Sequence, residues 1–201
     1  TVSSALRESE QRLLMAQEGA HVGIWEWDMV SNRLFFSPEC ARLYGRSAEA
    51  LGELAAWQAC LHPDDRPRIE QLLAERAVSG APVELEFRIL LPDGGIRWLV
   101  SKGSVYRDAQ QRPVRLLGIH LDITQSKLAE QQLRQLSLAL EQSPDGVFIT
   151  DTRARIEYVN PAFLAASGYQ QHEVIGRTPS LLRSGLTPDA SYVALWDAIN
   201  H

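Results

Sequence analysis

Three neighbouring residues, His62, Asp64 and Asp65, have side chains that could perform acid–base or metal chemistry. An imidazole and two carboxylates can bind a divalent cation or transfer a proton as a general acid–base pair. Pro63 stands among them, however, and proline favours the first turn of a helix, where acidic side chains stabilise the helix dipole. The segment therefore predicts the start of a helix, and we expect neither a metal site nor catalytic residues there.

Composition argues against several other functions. The chain has no glycine-rich phosphate loop, no nucleophile elbow and no zinc-ligand spacing, so we expect no enzymatic activity in it. Cys40 and Cys60 are its only cysteines, and we interpret them as buried, reduced thiols of a cytoplasmic domain. The net charge of −5 argues against nucleic-acid binding. No apolar run reaches the roughly 18 residues of a membrane span, so we expect no direct membrane contact, although a longer parent protein could be membrane-anchored.

Glycine, aspartate and proline residues repeat along the chain at a constant offset of 123 positions. The repeat runs without gaps. The residues Gly23, Asp28, Phe35, Pro38 and Gly45 of the first copy correspond to Gly146, Asp151, Tyr158, Pro161 and Gly168 of the second. An offset of this length indicates two copies of one domain. By the same offset His201 corresponds to Val78, which predicts a half-domain in the second copy. We expect a partner to cover its apolar face, or residues after about 144 to be poorly packed.

Alternating apolar and polar residues predict a sheet of antiparallel strands. In residues 83–91 apolar side chains occupy every second position, as in a half-buried strand, and Asp93 with Gly94 then predicts a hairpin. The predicted order is strands 22–28 and 33–37, helices between 38 and about 78, and strands 83–91, 96–107 and 113–124. This order predicts an α+β fold, a five-stranded antiparallel sheet with helices on one face.

Two further helices are expected to flank the first domain. Residues 125–142 place Ala129, Leu133, Leu136 and Leu140 at heptad spacing. Two heptads are short for a coiled coil, so this seam either forms a homodimer or rests on its own domain. The predicted organisation is a flanking helix at 1–20, a first domain at 21–124, a connecting helix at 125–142 and the N-terminal half of a second domain at 143–201.

These elements resemble the PAS sensory family, with a trailing PAC motif. The stretches that carry the resemblance are GIWEWD, LHPDD, ELEFRILLPDGGIRWL and GIHLDIT in the first copy, and SPDGVFITD, YVNPAFLAASGY and EVIGRTPSLLRSG in the second. The resemblance implies a sensor of a small ligand, redox state or partner, usually dimeric through its flanking and connecting helices. Such domains relay signals to a histidine kinase or a cyclic-di-GMP enzyme. The alternative is a ligand-free dimerisation or interaction module.

In this family the signal leaves through the last strand of the sheet into the following helix, which points to Asp122, Ile123 and Thr124 as relay residues. Thr124 can cap that helix, a contribution of about 1 kcal/mol. Strand alternation places Ile123 on one face of the sheet and Asp122 on the other, where its carboxylate can bind an arginine or lysine. We therefore predict that this junction transmits the signal.

The resemblance also implies a pocket between the sheet and the helices. Its candidate lining residues in the first copy are aromatic, a type that more often forms plain core: Trp25, Trp27, Trp57, Phe87 and Trp98. In the second copy the run SLLRSGLTP…LW resembles members that bind flavin non-covalently, which suggests FAD there, although flavin-free members share the run. It adds the candidates Asn160, Phe163, Ser184 and Trp196.

Two cofactor types of this family are disfavoured by the sequence. Light-sensing members carry a reactive cysteine after a Gly-Arg pair, whereas here Gly176 and Arg177 precede Thr178, and the second copy has no cysteine. Covalent flavin photochemistry is therefore excluded for that copy. Haem-binding members use an axial histidine on the long helix. The first copy's helix has none beyond His62 at its start, and the second copy's has only His201 at its end, so haem is not expected.

Overall fold

The structure of the chain is a computed structural model, and it describes residues 21–183. The chain forms two compact units that divide between Ala129 and Glu130. The predicted N-terminal flanking helix lies outside the described residues, as do the candidates Ser184 and Trp196. No helix in the described part of the chain is long and apolar enough to cross a membrane.

The first unit is built on a five-stranded sheet in the order β2-β1-β5-β4-β3, in which all neighbours are antiparallel. Its strands are β1 (Gly23–Asp28), β2 (Arg33–Phe36), β3 (Val83–Leu90), β4 (Ile96–Arg107) and β5 (Pro113–Asp122). The predicted α+β architecture is confirmed. Because β1 pairs with β5, the strand that begins the domain lies beside the strand that ends it, at the centre of the sheet.

Three helices and a 3-10 turn connect β2 with β3: α1 (Pro38–Tyr44), the turn Glu49–Leu51, α2 (Leu54–Gln58) and α3 (Arg66–Ser79). Helix α3 begins at Arg66, four residues later than the sequence predicted. The reason is that the Asp65 carboxylate does not cap the helix but accepts hydrogen bonds from the backbone and guanidinium of Arg88 on β3. Pro63 therefore lies in the turn before the helix and not in its first turn.

The core of the first unit lies on one face of the sheet, which we call the inner face. On β3 the inward residues Leu85, Phe87 and Ile89 are buried, and they alternate with more exposed side chains. They pack with apolar side chains of β1, β4, β5 and the helices, among them Trp25, Phe36, Leu51, Trp57, Ile69, Leu99 and Leu116. The sheet and helices thus enclose a single apolar layer, as two-layer domains require.

Helix α4 (Thr124–Glu141) follows β5 after a single residue. None of its residues is buried, and two seam leucines are strongly exposed, Leu133 at 69% and Leu136 at 64%.

The second unit contains a two-stranded antiparallel sheet of β6 (Phe148–Thr150) and β7 (Ile156–Val159). Helices α5 (Pro161–Ser167) and α6 (Gln171–Val174) and a 3-10 turn at Pro179–Leu182 follow. The buried core of its described residues is small: Ile156, Val159, Phe163 and Val174. Several large apolar side chains stay exposed: Phe148, Ile149, Ile175 and Leu182.

Candidate functional site

A small cavity lies between the inner face of the sheet and helices α2 and α3 of the first unit. Its volume is about 30 Å³. Four of the aromatic candidates line it, together with Ser101 and His120: Trp25, Trp27, Trp57 and Phe87. A space of this size holds one or a few water-sized groups. In this packing the cavity therefore has no room for a flavin or a haem.

A chain of buried polar side chains runs along the cavity. The indole Nε1 of Trp57 donates to the Tyr44 hydroxyl at 2.9 Å, and that hydroxyl lies 3.2 Å from Nδ1 of His120. An indole N–H can only donate, so the Tyr44 oxygen accepts it and directs its own proton to His120. We therefore assign Nδ1 of His120 as the acceptor and Nε2 as the nitrogen that carries the ring proton.

All of these hydrogen-bonded side chains are uncharged at neutral pH. Burial lowers the pKa of His120 to about 3 and raises the pKa of the Tyr44 hydroxyl well above its usual value. Cys40, whose Sγ lies 3.5 Å from Nδ1 of His120, also has its pKa raised by burial. A protonated thiol beside a neutral imidazole is a poor nucleophile, so the arrangement is suited to binding and packing and not to covalent catalysis.

The indole of Trp25 stacks on His120 with ring centroids 5.4 Å apart. Its ring lies over two strand glycines, and a Cβ atom on Gly118 would stand only 2.6 Å from it, so these glycines make room for the indole. Gly103 has the same role on the neighbouring strand. The buried Nε1–H of Trp25 has no hydrogen-bond partner among the described residues. It is therefore an unsatisfied buried donor on a residue that lines the cavity.

Trp98 does not belong to this cavity, which corrects its assignment as a pocket residue. The next residue on β4, Leu99, is fully buried in the inner core, so alternation turns Trp98 to the opposite, outer face. There two cations lie within cation–π distance of its ring, with the Arg88 guanidinium 5.5 Å and the Lys127 ammonium 5.4 Å from its centroid. Trp98 thus connects the sheet with helix α4 on the outside of the domain.

The strand–helix junction is held by side-chain bonds to the backbone. Asp122 forms an ion pair with Arg97, 3.1 Å from its Nε, and its Oδ1 accepts the N–H of Thr124 at 2.8 Å. The Thr124 hydroxyl does not cap α4 as the sequence predicted. It accepts the backbone N–H of Trp98 on β4 at 3.0 Å. Asp122 therefore takes the position at the helix start that we had assigned to Thr124.

Arg97 also joins this junction to helix α1, whose Tyr44 is hydrogen-bonded to the cavity residues Trp57 and His120. Its Nη1 donates to the backbone carbonyl oxygens of Arg42, at 3.3 Å, and of Leu43. Both carbonyls belong to the last turn of α1, where helix carbonyls have no partner within the helix. Because α1 carries Cys40 and Tyr44, a continuous set of contacts leads from the cavity through α1 and Arg97 to Asp122.

The acidic segment before α3 is a structural ion-pair site. The Arg88 guanidinium bonded to Asp65 holds the pKa of this carboxyl below its usual value. Asp64 lies 3.4 Å from the same guanidinium, and its backbone N–H donates to Nδ1 of His62. Within residues 21–183 no group of three or more side chains is arranged to hold a metal ion.

Asn160 in the second unit is fully buried and makes four hydrogen bonds. Its Oδ1 accepts the N–H groups of Val147 and Phe163 at 2.8 and 2.9 Å. Its Nδ2 donates to the carbonyl oxygens of Leu140 and Asp145 at 3.0 and 2.9 Å. These bonds use the two donors and both acceptor positions of the amide.

Asn160 therefore has no hydrogen-bonding capacity left for the edge of a flavin ring. Phe163, the other described candidate in this unit, is buried in the small core against Phe148, with ring centroids 5.7 Å apart. The described residues of the second unit do not fit the expectation of FAD.

The sequence did not predict the group formed by His120, Tyr44 and Cys40. Tyr44 lies 76 positions and Cys40 lies 80 positions before His120 in the chain. The available signal was the position of His120 on β5, in the same alternation as the inward-facing Leu116. A polar residue at such a position must find a partner or lie at a cavity.

Comparison with known proteins agrees with this geometry. Profiles of the PAS fold match residues 33–120 and residues 134–201. The chain is 29% identical to the probable diguanylate cyclase DgcE of Escherichia coli over 83% of its own length and 15% of that protein. It is 27% identical to the sensor protein FixL of Bradyrhizobium diazoefficiens over 82% of its length and 34% of that protein. The chain thus spans only about a third or less of these relatives.

Among solved structures, a sensory box histidine kinase/response regulator from Burkholderia thailandensis resembles the chain with a TM-score of 0.56 and 26% identity. The match covers 66% of this chain and 99% of that one.

Proposed function

Because the chain belongs to the PAS family, we propose that its first domain, residues 21–124, senses a change in the inner cavity and passes it to the connecting helix at 125–142. Residues 143–201 are then the N-terminal half of a second PAS domain. The output domain lies outside this segment. The relatives named as a diguanylate cyclase and as a sensor protein support an output of the cyclic-di-GMP or histidine-kinase class.

The observation that carries this proposal is the bridge formed by Arg97. One guanidinium holds the last carbonyls of α1, whose Tyr44 is hydrogen-bonded at the cavity, and also the Asp122 carboxylate at the start of α4. On β5, Asp122 follows His120 by two positions and so shares its face of the sheet. A ligand that favours one packing of the cavity over another would therefore act directly on the junction. Couplings of this kind are typically worth about 1–3 kcal/mol.

The cavity also limits the chemistry of a ligand. It is lined by apolar side chains, Ser101 and a neutral His120, so a charged group would lose its hydration without gaining a counter-charge. The unpaired Nε1–H of Trp25 calls for a hydrogen-bond acceptor. We propose a small, uncharged ligand with an acceptor atom, such as a carbonyl oxygen, whose apolar part displaces the cavity's present packing.

Native mass spectrometry of the full chain, purified without denaturant, tests this proposal. A sensor of a small molecule should carry an additional mass that is released on unfolding. The variant Ser101→Leu, which fills the cavity, should lose that mass, whereas Ser104→Leu on the exposed face of the same strand should keep it. A mass equal to that of the bare chain in all three proteins would contradict a resident ligand.

The second candidate is a ligand-free dimerisation module, which is favoured by the small cavity and by the exposed seam leucines of α4. Exposed apolar side chains at heptad spacing are typical of a surface that pairs with a second copy. Sedimentation of the full chain should show a dimer that Leu136→Glu dissociates and Gln132→Glu, a change at an exposed polar position, leaves intact. A monomeric wild type would contradict dimerisation through this helix.

A further inference from the structure

Ser37 and Asn160 stand at equivalent positions of the two copies and cap equivalent helices, α1 and α5. The Ser37 hydroxyl accepts the N–H groups of Ile24 and Cys40 at 3.0 and 3.2 Å. Asn160 Oδ1 accepts the N–H groups at the corresponding positions of the second copy, Val147 and Phe163. Each of the two side chains thus ties the start of the first strand to the start of the helix after the hairpin.

The two residues differ in what else they bind. The Nδ2 group of Asn160 donates to the carbonyl oxygens of Leu140, in the last turn of α4, and of Asp145, in the segment that leads to β6. The carbonyls of a helix's last turn have no partner of their own within the helix, so a buried side-chain donor holds that turn in place. Serine has a single hydroxyl and no amide, so Ser37 cannot make both of these bonds and still accept its two N–H groups.

The capping of α5 does not require an amide, since a hydroxyl is sufficient for α1. The two donated bonds of Asn160 are therefore additional to its role as a cap. Their donor end is enclosed, since Asn160 has no exposed surface. The Leu140 carbonyl oxygen also accepts the N–H of Ser143, at the longer distance of 3.4 Å, so the Asn160 amide supplies its shorter bond.

We propose that Asn160 is the positioning residue that fixes the C-terminal end of α4 to the second domain, and so receives whatever change the helix carries. This inference rests on the proposed relay function, because it names the point at which the relay enters the second copy. It also gives Asn160 a role different from the flavin contact that the sequence suggested.

Amide hydrogen exchange of the full chain tests the proposal with Asn160→Ser, which installs the residue of the first copy. The serine hydroxyl can still accept from Val147 and Phe163, so exchange of these two amides should change by no more than about threefold. Amides 139–143 should exchange about tenfold faster, because the Leu140 carbonyl in the last turn of α4 loses the Asn160 Nδ2–H donor that holds it. Unchanged exchange at 139–143, or an equal increase throughout residues 144–183, would overturn the proposal.

Two further variants keep the result interpretable. Ser37→Ala removes the equivalent cap of the first copy and should leave exchange at 139–143 unchanged. Asn160→Asp keeps the shape and the accepting Oδ1 but turns a second oxygen toward the two carbonyls. It should therefore speed exchange at 139–143 at least as much as serine does, while Phe163 stays protected. If both Asn160 variants unfold the second unit, Asn160 is a general folding residue and the proposal fails.

These exchange measurements need no ligand and no output domain. A failure of the proposed clamp is therefore distinguishable from a failure of the sensory function, which native mass spectrometry tests independently.

Discussion

The hydroxyl of Thr124, the first residue of α4, accepts the backbone N–H of Trp98 on β4 at 3.0 Å. The neighbouring N–H of Ile123 donates to the carbonyl of the same tryptophan, also at 3.0 Å. The backbone N–H and the backbone carbonyl of Trp98 are therefore both hydrogen-bonded to the residues that join β5 to α4. The start of the connecting helix is thus fixed to the sheet, and a shift of β4 or β5 must move it.

Replacing Thr124 with valine keeps the shape of the side chain but leaves the N–H of Trp98 without its acceptor. We expect the free energy of unfolding of the first domain to fall by about 1–2 kcal/mol, the usual cost of an unpaired, partly buried donor. Urea denaturation of the full chain measures this change. Ser126→Ala on the exposed side of α4 is the control, with an expected change within about 0.5 kcal/mol. Equal stabilities of the two variants would be inconsistent with the bond to Trp98.

Tyr44→Phe removes the hydroxyl at the centre of the cavity's polar chain. Trp57 Nε1 then loses its acceptor and His120 Nδ1 loses its donor, although Cys40 Sγ remains nearby. We expect a loss of about 1–3 kcal/mol in the stability of the first domain, measured by thermal or urea unfolding. Tyr106→Phe, at an exposed position on β4, should have almost no effect. The polar chain would have no energetic role if both changes gave the same stability.

His120 should make the first domain less stable as the pH falls. Burial lowers the pKa of folded His120 to about 3, whereas the unfolded side chain titrates near 6.5. Between these values the unfolded state binds a proton that the folded state excludes, so stability declines by about 1.4 kcal/mol per pH unit below pH 6.5.

The measurement is urea denaturation between about pH 7 and pH 4.5 for the wild type and His120→Leu. Whatever its absolute stability, the unfolding free energy of the variant should fall less steeply with decreasing pH than that of the wild type. The difference should be the contribution of one proton, because other groups titrate equally in both proteins. Parallel pH profiles would show that folding does not shift the pKa of His120, which would contradict its exclusion of the proton in the folded state.

Gly118→Ala should destabilise the sheet at the point where Trp25 crosses it. An added Cβ would lie 2.4 Å from the Lys102 carbonyl oxygen and 2.6 Å from the Trp25 ring, so strand or indole must shift. We expect a loss of about 1–3 kcal/mol, typical of overpacked cores. Gly95→Ala, where the nearest atom is a carboxylate oxygen of the exposed Asp93 side chain and not backbone or a ring, is the control and should cost much less. A tolerated Gly118→Ala would indicate that the Trp25 indole does not pack on this glycine.

The strands and their order could be predicted because their signals are local. Alternation in residues 83–91 and the turn at Asp93 and Gly94 depend only on neighbouring residues, and β3 and β4 form as expected. The face of Trp98 could not be determined in the same way. In the run Trp98-Leu99-Val100 apolar side chains occupy both faces of the strand, so alternation does not reveal which face is the inner one.

The functional contacts were harder to predict because they depend on the tertiary structure. Threonine at a helix start normally caps the helix, yet the hydroxyl of Thr124 turns to Trp98, 26 positions earlier in the chain. Arg97 reaches the end of α1, 54 and 55 positions away, which no local pattern indicates. The sequence shows that Asn160 has an amide that can donate two hydrogen bonds. Only the fold shows that both are donated to backbone carbonyls.

The measurement that bears most directly on the relay is a hydrogen-exchange cycle on amides 124–128 of the full chain, with the cavity variant Tyr44→Phe and the junction variant Asp122→Asn, alone and combined. We expect Tyr44→Phe to speed exchange at the start of α4 about three- to tenfold when Asp122 is present, and to have no further effect in Asp122→Asn, because the bridge through Arg97 is then broken. Transmission from the cavity to the helix would be contradicted if Tyr44→Phe left exchange at 124–128 unchanged. It would also be contradicted if Tyr44→Phe changed this exchange equally with Asp122 and with Asn at that position.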